Sequence, residues 1–186
     1  MPRIYRPMGI HHKSFSKLSE KHDKEKYDKE KQDKKPSRNS LPYRKGVQAY
    51  IISNEKLFFV TNVGDGYFWK VPSGGMDPGE APEDTVKREM QEELSVKIHI
   101  LKKCHFKNRF LWPMSIVQKS NYTYKGQEQF IFIVKIHEGE KIKINKHEIS
   151  HHRWVKFRDL NKVLPLPSQK SMAARVLREY KNLKNK

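Results

Sequence analysis

The segment SGGMDPGEAPEDTVKREMQEELSV, residues 73–96, decides the fold because a glycine-rich loop in it runs into an amphipathic helix. Its glycines and prolines favour an irregular loop over residues 72–79. Pro82 suits the first turn of a helix, where a missing amide costs nothing. The apolar residues that follow repeat at a spacing of four and predict one buried stripe: Val86, Met90 and Leu94. We therefore predict a helix from residue 82 to about residue 94.

Acidic side chains are concentrated in this helix although the chain is basic. Residues 47–186 contain 15 acidic residues, and 7 of them lie at positions 77–93. At about 100° per residue, Glu92 lies about 60° to one side of Glu89 and Glu93 about 40° to the other, so the three share one face. Unpaired carboxylates there would repel one another. Bound to a hard divalent cation, they become the oxygen ligands that Mg²⁺ or Mn²⁺ prefers.

Other groups of the segment could complete such a metal site. A main-chain carbonyl at Ser73 or Gly74 could supply a further oxygen ligand, because glycines permit close backbone approach. Arg88 lies among the glutamates and could hold Glu80 or Glu89 in one orientation by pairing with it.

Outward from the helix, strand-like runs lie on both sides. We predict strands at residues 47–52, 57–63 and 67–71 before the loop, and at 96–101, 129–136 and 153–157 after the helix, with a further stretch around 110–117. A second amphipathic helix is predicted at residues 171–183. Strands that precede, separate and follow two such helices indicate an α/β fold with a mixed sheet covered by helices.

The first 41 residues differ in composition from the rest. The whole chain has 39 Lys and Arg against 21 Asp and Glu, a net charge of +18. Residues 23–35 form a lysine-rich near-repeat with almost no apolar side chain, which cannot offset the entropy of ordering. We predict a basic polar extension over residues 1–41, disordered or a lone helix, and a domain over residues 42–186. The extension could make non-specific RNA contacts or simply increase solubility.

Composition also limits the environment of the protein. Its single cysteine, Cys104, cannot form an internal disulfide and excludes a cysteine metal cluster. The longest apolar run, residues 130–134, is far shorter than the roughly 20 residues of a membrane-spanning helix. We expect a soluble cytoplasmic protein without a membrane partner, with organelle import as the alternative. The sequence leaves the oligomeric state open.

The pattern Gly74-x5-Glu80-x7-Arg88-Glu89-Met90-x-Glu92-Glu93-x-Ser95-Val96 resembles the Nudix box. Every position matches except Ser95, where the family has a glycine that suits a positive-φ turn. The resemblance implies a Nudix hydrolase with an α/β/α sandwich, which uses Mg²⁺ or Mn²⁺ to split a phosphoanhydride with water. It implies a role in metal binding for Glu89, Glu92, Glu93 and Gly74.

Flanking motifs narrow this resemblance. Trp69-x-x-Pro72-x-Gly74-Gly75 and Gly126-Gln127-x-Gln129 resemble segments of RNA 5′-pyrophosphohydrolases and diadenosine polyphosphate hydrolases, and Tyr43-Arg44 fits the same group. The substrate-binding residues that we predict on this basis, and from positive charge that could attract a polyphosphate, are Arg44, Trp69, Lys70, Gln127 and Gln129. Glu148, ahead of Arg153-Trp154-Val155, resembles a late glutamate that reaches the metal site from a loop.

These observations predict the chemistry and leave alternatives open. The catalytic residues are predicted to be Arg88, which orients carboxylates, and either Glu92 or Glu148, which takes a proton from water. The substrate is predicted to be a triphosphorylated RNA 5′ end or a dinucleoside polyphosphate. One alternative is a small-molecule Nudix hydrolase for nucleoside triphosphates or diphosphoinositol phosphates. Another is a Nudix-like RNA-binding module without catalysis.

Overall fold

The computed structural model describes residues 36–64, 66 and 68–185. The chain divides into two units, Met1–Leu41 and Pro42–Lys186, and the second holds the sheet and its covering helices. The predicted extension lies outside the described residues except for residues 36–41, which include a 3₁₀ turn at Arg38–Ser40.

Six strands form one mixed sheet. Their bounds are β1 Tyr43–Ser53, β2 Lys56–Asn62, β3 Ser73–Gly75, β4 Ile98–Leu111, β5 Gly126–Ile136 and β6 Ile149–Lys156. The order across the sheet is β4-β5-β1-β2-β6, and β3 pairs with β1. β1 and β5 are parallel, whereas the other pairs are antiparallel. A two-residue turn with positive φ at Asn54 and Glu55 joins β1 to β2, the geometry that matches the twist of a hairpin.

Helices cover both faces of the sheet, so the predicted α/β/α sandwich is confirmed. Their bounds are α1 Pro82–Leu94, α2 Met114–Lys119, α3 Leu160–Val163 and α4 Pro167–Lys184. On one face, the predicted stripe of α1 packs in a fully apolar layer with residues of β1, β2 and β5, including Val47, Phe58 and Phe132. On the other face, Ala173, Val176 and Tyr180 of α4 pack against Tyr50, Phe59 and Ile131. Among the described residues, no helix is long and apolar enough to cross a membrane.

Several predicted elements differ from the structure. Residues 67–71 do not form a strand in their described part, where Lys70 alone makes an isolated bridge with Val60. The loop is not wholly irregular, because β3 pairs with residues 46–48 of β1. This pairing needs a glycine at position 46, because a Cβ there would lie 2.6 Å from the carbonyl oxygen of Gly74. The pairing depends on a distant strand, which a local sequence window does not contain.

The region of residues 110–117 contains two elements. β4 continues to Leu111, and Pro113 then caps α2, because proline suits the start of a helix and ends a strand. β6 and α4 each begin four residues earlier than predicted, at Ile149 and Pro167. At the second of these, Pro167 occupies the first turn, as Pro82 does in α1.

Candidate active site

Helix α1 carries the central carboxylates and ends with an unusual residue. Ser95 adopts the left-handed conformation, φ 55° and ψ 38°, and its amide donates to the carbonyl of Gln91. The amide of Val96 then donates to the carbonyl of Met90 over 3.3 Å, which completes a Schellman-type cap. Ser95 therefore adopts the positive φ that the family's glycine suits, although its Cβ makes this conformation less favourable.

Arg88 is the centre of a hydrogen-bond network on α1. Its Nε and Nη2 donate to the two oxygens of Glu80, each over 2.9 Å. Nη2 also donates to the carbonyl of Gly75 over 2.9 Å, and Nη1 donates to Glu89 at 3.0 Å and Glu92 at 2.9 Å. These contacts use all five hydrogen-bonding positions of the guanidinium. The hydrogen bond between Arg88 and Glu80 lowers the pKa of Glu80 to about 2. The same hydrogen bond is the main reason that the pKa of Arg88 is raised.

A concave region beside this network is lined by carboxylates, and we call it the acidic pocket. It lies where β1 and β3 meet the buried face of α1 and the loop before β6. Its side chains come from four parts of the domain: Arg44, Asn62, Glu89, Glu93, His147 and Glu148, with the backbone of residues 73–75. The predicted residues Arg44, Gly74, Glu89, Glu93 and Glu148 are thus brought together.

Two glycines shape the wall of the acidic pocket. A Cβ at Gly74 would overlap the carboxylate group of Glu89, and a Cβ at Gly75 would overlap the guanidinium of Arg44. The absence of side chains at both positions lets the glutamate and the arginine lie directly against the backbone of β3. This explains, from the structure, why two consecutive glycines precede the helix.

Burial perturbs the carboxylates of the acidic pocket. Desolvation is the largest effect on Glu93 and raises its pKa to about 8, with further contributions from the charges of Glu89 and Glu148. The charge of Lys70 and a backbone hydrogen bond at Ser73 act in the opposite direction. Desolvation also raises the pKa of Glu89, although Arg88 opposes it. Like charges therefore face one another at a site that withdraws them from water.

The donor set of the acidic pocket fits a hard divalent cation. Oε2 of Glu93 is buried and has no hydrogen-bond partner, an arrangement that costs free energy unless another group binds the oxygen. The neighbouring carboxylates of Glu89 and Glu148 also offer oxygens, the ligand type that Mg²⁺ and Mn²⁺ prefer. Within the described residues, no group of three or more His, Cys, Asp or Glu side chains is already positioned to hold one ion. Arg88 explains part of this, because it holds Glu89 and Glu92 by hydrogen bonds.

The two candidate bases occupy different positions. Glu92 does not line the acidic pocket; its side chain is 53% exposed and is paired with Arg88. Glu148 does line it, and Nδ2 of Asn145 donates to Oε1 of Glu148 over 2.8 Å. The backbone N–H of Asn145 also donates to the backbone carbonyl of Glu93 over 2.8 Å. Asn145 thus ties the loop of Glu148 to the end of α1, a role that no motif in the sequence indicated.

The remaining predicted substrate residues lie outside the acidic pocket. Gln129 is buried, and its Oε1 accepts a hydrogen bond from Nδ2 of Asn108 over 3.2 Å. Gln127 lies beside Gly46, where its Nε2 would be 3.0 Å from an added Cβ. The guanidinium of Arg153 covers one face of the Trp69 ring, 3.9 Å from its centroid.

A second concavity, which we call the sheet cleft, lies between the sheet and α4. Lys70 lines it and also lowers the pKa of Glu93 by its charge, so the sheet cleft and the acidic pocket are neighbours. Oε1 of Gln48, which also lines the cleft, is buried without a hydrogen-bond partner. The other polar residues of its lining are Asn108, Ser168 and Gln169. Together with Gln48, these polar residues come from three separate segments of the chain, and no local sequence motif joins them.

Comparison with known proteins agrees with this geometry. The fold is shared with an Ap4A hydrolase of C. elegans, seen in a binary complex, at a TM-score of 0.61 with 16% identity, covering 75% of this chain and 98% of that one. It is also shared with the E. coli dihydroneopterin triphosphate pyrophosphohydrolase, at a TM-score of 0.58 with 13% identity, covering 72% and 96%. The fold and the carboxylate-bearing helix thus define a class of α/β/α sandwich proteins.

The family follows from sequence comparison. A family model described as NUDIX domain matches residues 42–179, and the chain therefore belongs to the Nudix family. An RNA pyrophosphohydrolase of Rickettsia africae (strain ESF-5) is 29% identical over 150 residues, which cover 77% of this chain and 92% of the relative. One of Helicobacter pylori (strain P12) is 30% identical over 136 residues, covering 68% and 87%. The chain is a Nudix hydrolase, an enzyme that acts on pyrophosphate bonds, which confirms the family resemblance.

Proposed function

We propose that this enzyme is a metal-dependent pyrophosphohydrolase whose preferred substrate is the triphosphorylated 5′ end of an RNA. The observation that carries the proposal is the acidic pocket, in which the unpartnered Oε2 of Glu93 lies among like charges. The substrate class is supported by the curated relatives named RNA pyrophosphohydrolase. A dinucleoside polyphosphate is a substrate of the same chemistry, and the experiment below separates the two.

Glu89, Glu93 and Glu148 would hold the Mg²⁺ or Mn²⁺ ions, with the Gly74 carbonyl as a further candidate ligand. When bound, the ions supply positive charge that offsets the charge of the phosphates and lowers the pKa of nearby water. Arg88 positions Glu80, Glu89 and the backbone of Gly75 through its five contacts. Arg44, which lies against Gly75 at the rim, is placed to attract the phosphate chain.

We infer that Glu148, rather than Glu92, takes the proton from the attacking water. A general base must reach the water at the reaction site. Both side chains are exposed, but Glu148 lines the acidic pocket and is held there by Asn145, whereas Glu92 lies outside it and pairs with Arg88. Glu92 would then act on the rim, where it orients Arg88 and attracts cations.

The sheet cleft is the proposed place where the edge of the first base of the substrate inserts, since its volume of about 60 Å³ is smaller than a whole nucleoside. It is concave and neighbours the acidic pocket through Lys70, and it combines apolar walls with a few convergent polar groups, as nucleoside sites do. Gln48 offers a buried acceptor without a partner, which could receive a hydrogen bond from a base. Trp69 presents one free face at most, because Arg153 covers the other.

The test is a hydrolysis panel with MgCl₂ that compares triphosphorylated RNA, diadenosine tetraphosphate, deoxynucleoside triphosphates and an inositol pyrophosphate. We expect the highest kcat/KM on triphosphorylated RNA, with pyrophosphate release. Glu148→Gln should reduce kcat by at least about 100-fold, the usual minimum contribution of a general base. Glu92→Gln should reduce it less, and Glu138→Gln, an exposed glutamate outside the pocket, should change nothing.

Two results would contradict parts of this proposal. Highest kcat/KM on diadenosine tetraphosphate, a nucleoside triphosphate or an inositol pyrophosphate would reject the RNA substrate and leave the metal site intact. A larger loss of kcat in Glu92→Gln than in Glu148→Gln would reverse the assignment of the base.

A further inference from the structure

A cluster of basic residues lies on the opposite face of the sheet from the sheet cleft. Side chains alternate between the faces of a strand, so Lys45 points away from its neighbours Arg44 and Gly46. Lys45 shares its face with Val47, which packs against α1. We call this group the basic cluster; it consists of Lys45, Lys107, Arg109 and Lys125 around Glu128 and Tyr43.

Glu128 organises three of these cations. Its side chain is only 2% exposed and contacts Nζ of Lys45 at 2.5 Å, Nζ of Lys107 at 3.0 Å and Nε of Arg109 at 2.8 Å. The strands bring the four residues together by register, because Glu128 of β5 lies between Lys45 of β1 and Arg109 of β4. Their positions are therefore set by the sheet rather than by a flexible loop.

The charge of the cluster exceeds what burial of Glu128 requires. A buried carboxylate needs one cation to be neutralised, whereas three contact this one, which leaves a net charge of +2. The cations also remain open to solvent, with side chains 53% exposed at Lys45, 39% at Lys107 and 59% at Arg109. Surplus exposed charge held in a fixed arrangement is suited to an anionic partner.

Two aromatic rings complete the surface. The guanidinium of Arg109 and Nζ of Lys125 lie 5.1 and 4.9 Å from the ring centroid of Tyr43. Nζ of Lys107 lies 4.4 Å from the ring centroid of Phe130. These contacts restrict the long side chains further, so less conformational entropy is lost when they bind an anion.

We propose that the basic cluster binds the phosphate backbone of single-stranded RNA, as a second contact separate from the acidic pocket. Several separately exposed cations match the repeated charges of a strand better than a single phosphate. The choice of RNA among possible polyanions rests on the proposed function. The description of the basic cluster as an anion-binding surface does not depend on it. The cluster would hold the body of the RNA on the α1 face of the sheet and raise its local concentration at the enzyme.

The test measures binding of a fluorescent single-stranded RNA with a 5′ hydroxyl to the full chain, by anisotropy over a range of KCl concentrations. This RNA has no triphosphate, so the result does not depend on whether triphosphorylated RNA is the substrate. Lys45→Gln/Lys107→Gln/Arg109→Gln should weaken binding at low salt by at least about tenfold. It should also reduce the slope of log K against log[KCl] by about 1.4, since the surplus charge of +2 allows about two phosphate contacts and each contributes about 0.7 on a single strand.

The matched control removes three exposed cations elsewhere, Lys156→Gln/Arg178→Gln/Lys181→Gln. This control variant lowers the net charge by the same three units as the cluster variant and keeps the N-terminal residues. Its RNA binding therefore reports only the general attraction between a basic protein and RNA. Lys107→Gln by itself should give an intermediate loss and provides a second variant with minimal change to the fold. Equal RNA affinity and salt slope in the cluster and control variants would overturn the proposal. The proposal would also be overturned if the cluster variant lost binding to anionic phosphatidylglycerol vesicles but kept its binding to RNA.

Discussion

The carboxylate of Glu89 lies directly against the backbone of Gly74, so closely that a Cβ on Gly74 would overlap it. Gly74 belongs to β3 and Glu89 to α1, and the two elements contact each other at the wall of the acidic pocket. A residue in a loop motif and a residue in a helix motif are therefore parts of one packing arrangement.

Substitution of Gly74 by alanine is expected to displace Glu89 and impair catalysis. Because a displacement of about 1 Å can cost about 100-fold in rate, Gly74→Ala should reduce kcat by roughly that factor. It should also lower the free energy of unfolding, and Glu89→Ala should relieve that loss by removing the overlapping group. A double-mutant cycle by urea denaturation measures this coupling. Additive effects of the two substitutions on the free energy of unfolding would contradict the overlap.

Divalent ions are expected to stabilise the protein through Glu93. The melting temperature of the wild type should rise with MgCl₂, since a ligand that binds only the folded state stabilises by about 2.7 kcal/mol at 100 times its Kd. Glu93→Gln should lose most of this rise. Without metal, the variant should melt at or above the wild-type temperature at pH 8, because glutamine avoids the burial of a charge. Glu138→Gln should behave as the wild type; an undiminished Mg²⁺ shift in Glu93→Gln would exclude that residue as a ligand.

Ser95→Gly is expected to stabilise the fold without altering turnover. Ser95 has φ 55°, a conformation in which glycine avoids the steric cost of a Cβ. The gain should be about 0.5–1 kcal/mol in the free energy of unfolding, measured by urea denaturation. Ser95→Ala keeps the Cβ and should show no gain. If both substitutions had the same effect, the conformation of residue 95 would not be the cause.

Glu128→Gln is expected to destabilise the protein in a pH-dependent way. Hydrogen bonds with Lys45 and then Arg109 lower the pKa of Glu128 to about 2 from an ordinary value of 4.5. The folded state therefore binds this proton less readily than the unfolded state, and the ionised group stabilises the fold above pH 4.5. That stabilisation is lost as the pH falls from about 4.5 to about 2. The variant should be less stable by about 1–2 kcal/mol at pH 7, since its partners are half exposed.

Chemical denaturation at pH 7, 4.5 and 3 checks this expectation. The difference between wild type and Glu128→Gln should shrink progressively at the two lower values. A constant difference across that range would show that the shape of the side chain, and not its ionised form, stabilises the fold.

Much of the candidate site could be predicted from the sequence because its central part is local. Successive side chains of a helix are rotated by about 100° per residue, so the sequence alone shows which of them share a face. The stripe of Val86, Met90 and Leu94 follows from that rule, and so does the shared face of Glu89 and Glu93. Glu92 shows its limit, since the same rule placed it with the other two, whereas Arg88 holds it on the rim.

Elements defined by pairing were harder to predict. Ser73–Gly75 has the composition of a loop, and it becomes a strand only because Gly46 of β1 leaves room for it. Residues 67–71 have the composition of a strand, yet among their described members only Lys70 bridges to β2. Backbone pairing depends on which partner edge is available, and a sequence window does not contain that information.

The sequence by itself determined the carboxylate-bearing helix, the glycines before it and the apolar alternation of the strands, because these depend on neighbouring residues. Only the tertiary structure decided which carboxylates share a pocket. Asn145 ties the loop of Glu148 to the end of α1 by hydrogen bonds. Sheet register likewise collects Lys45, Lys107 and Arg109 around Glu128. These contacts join residues far apart in the chain, and their geometry exists only once the strands have paired and the helices α1 and α4 have packed on the sheet.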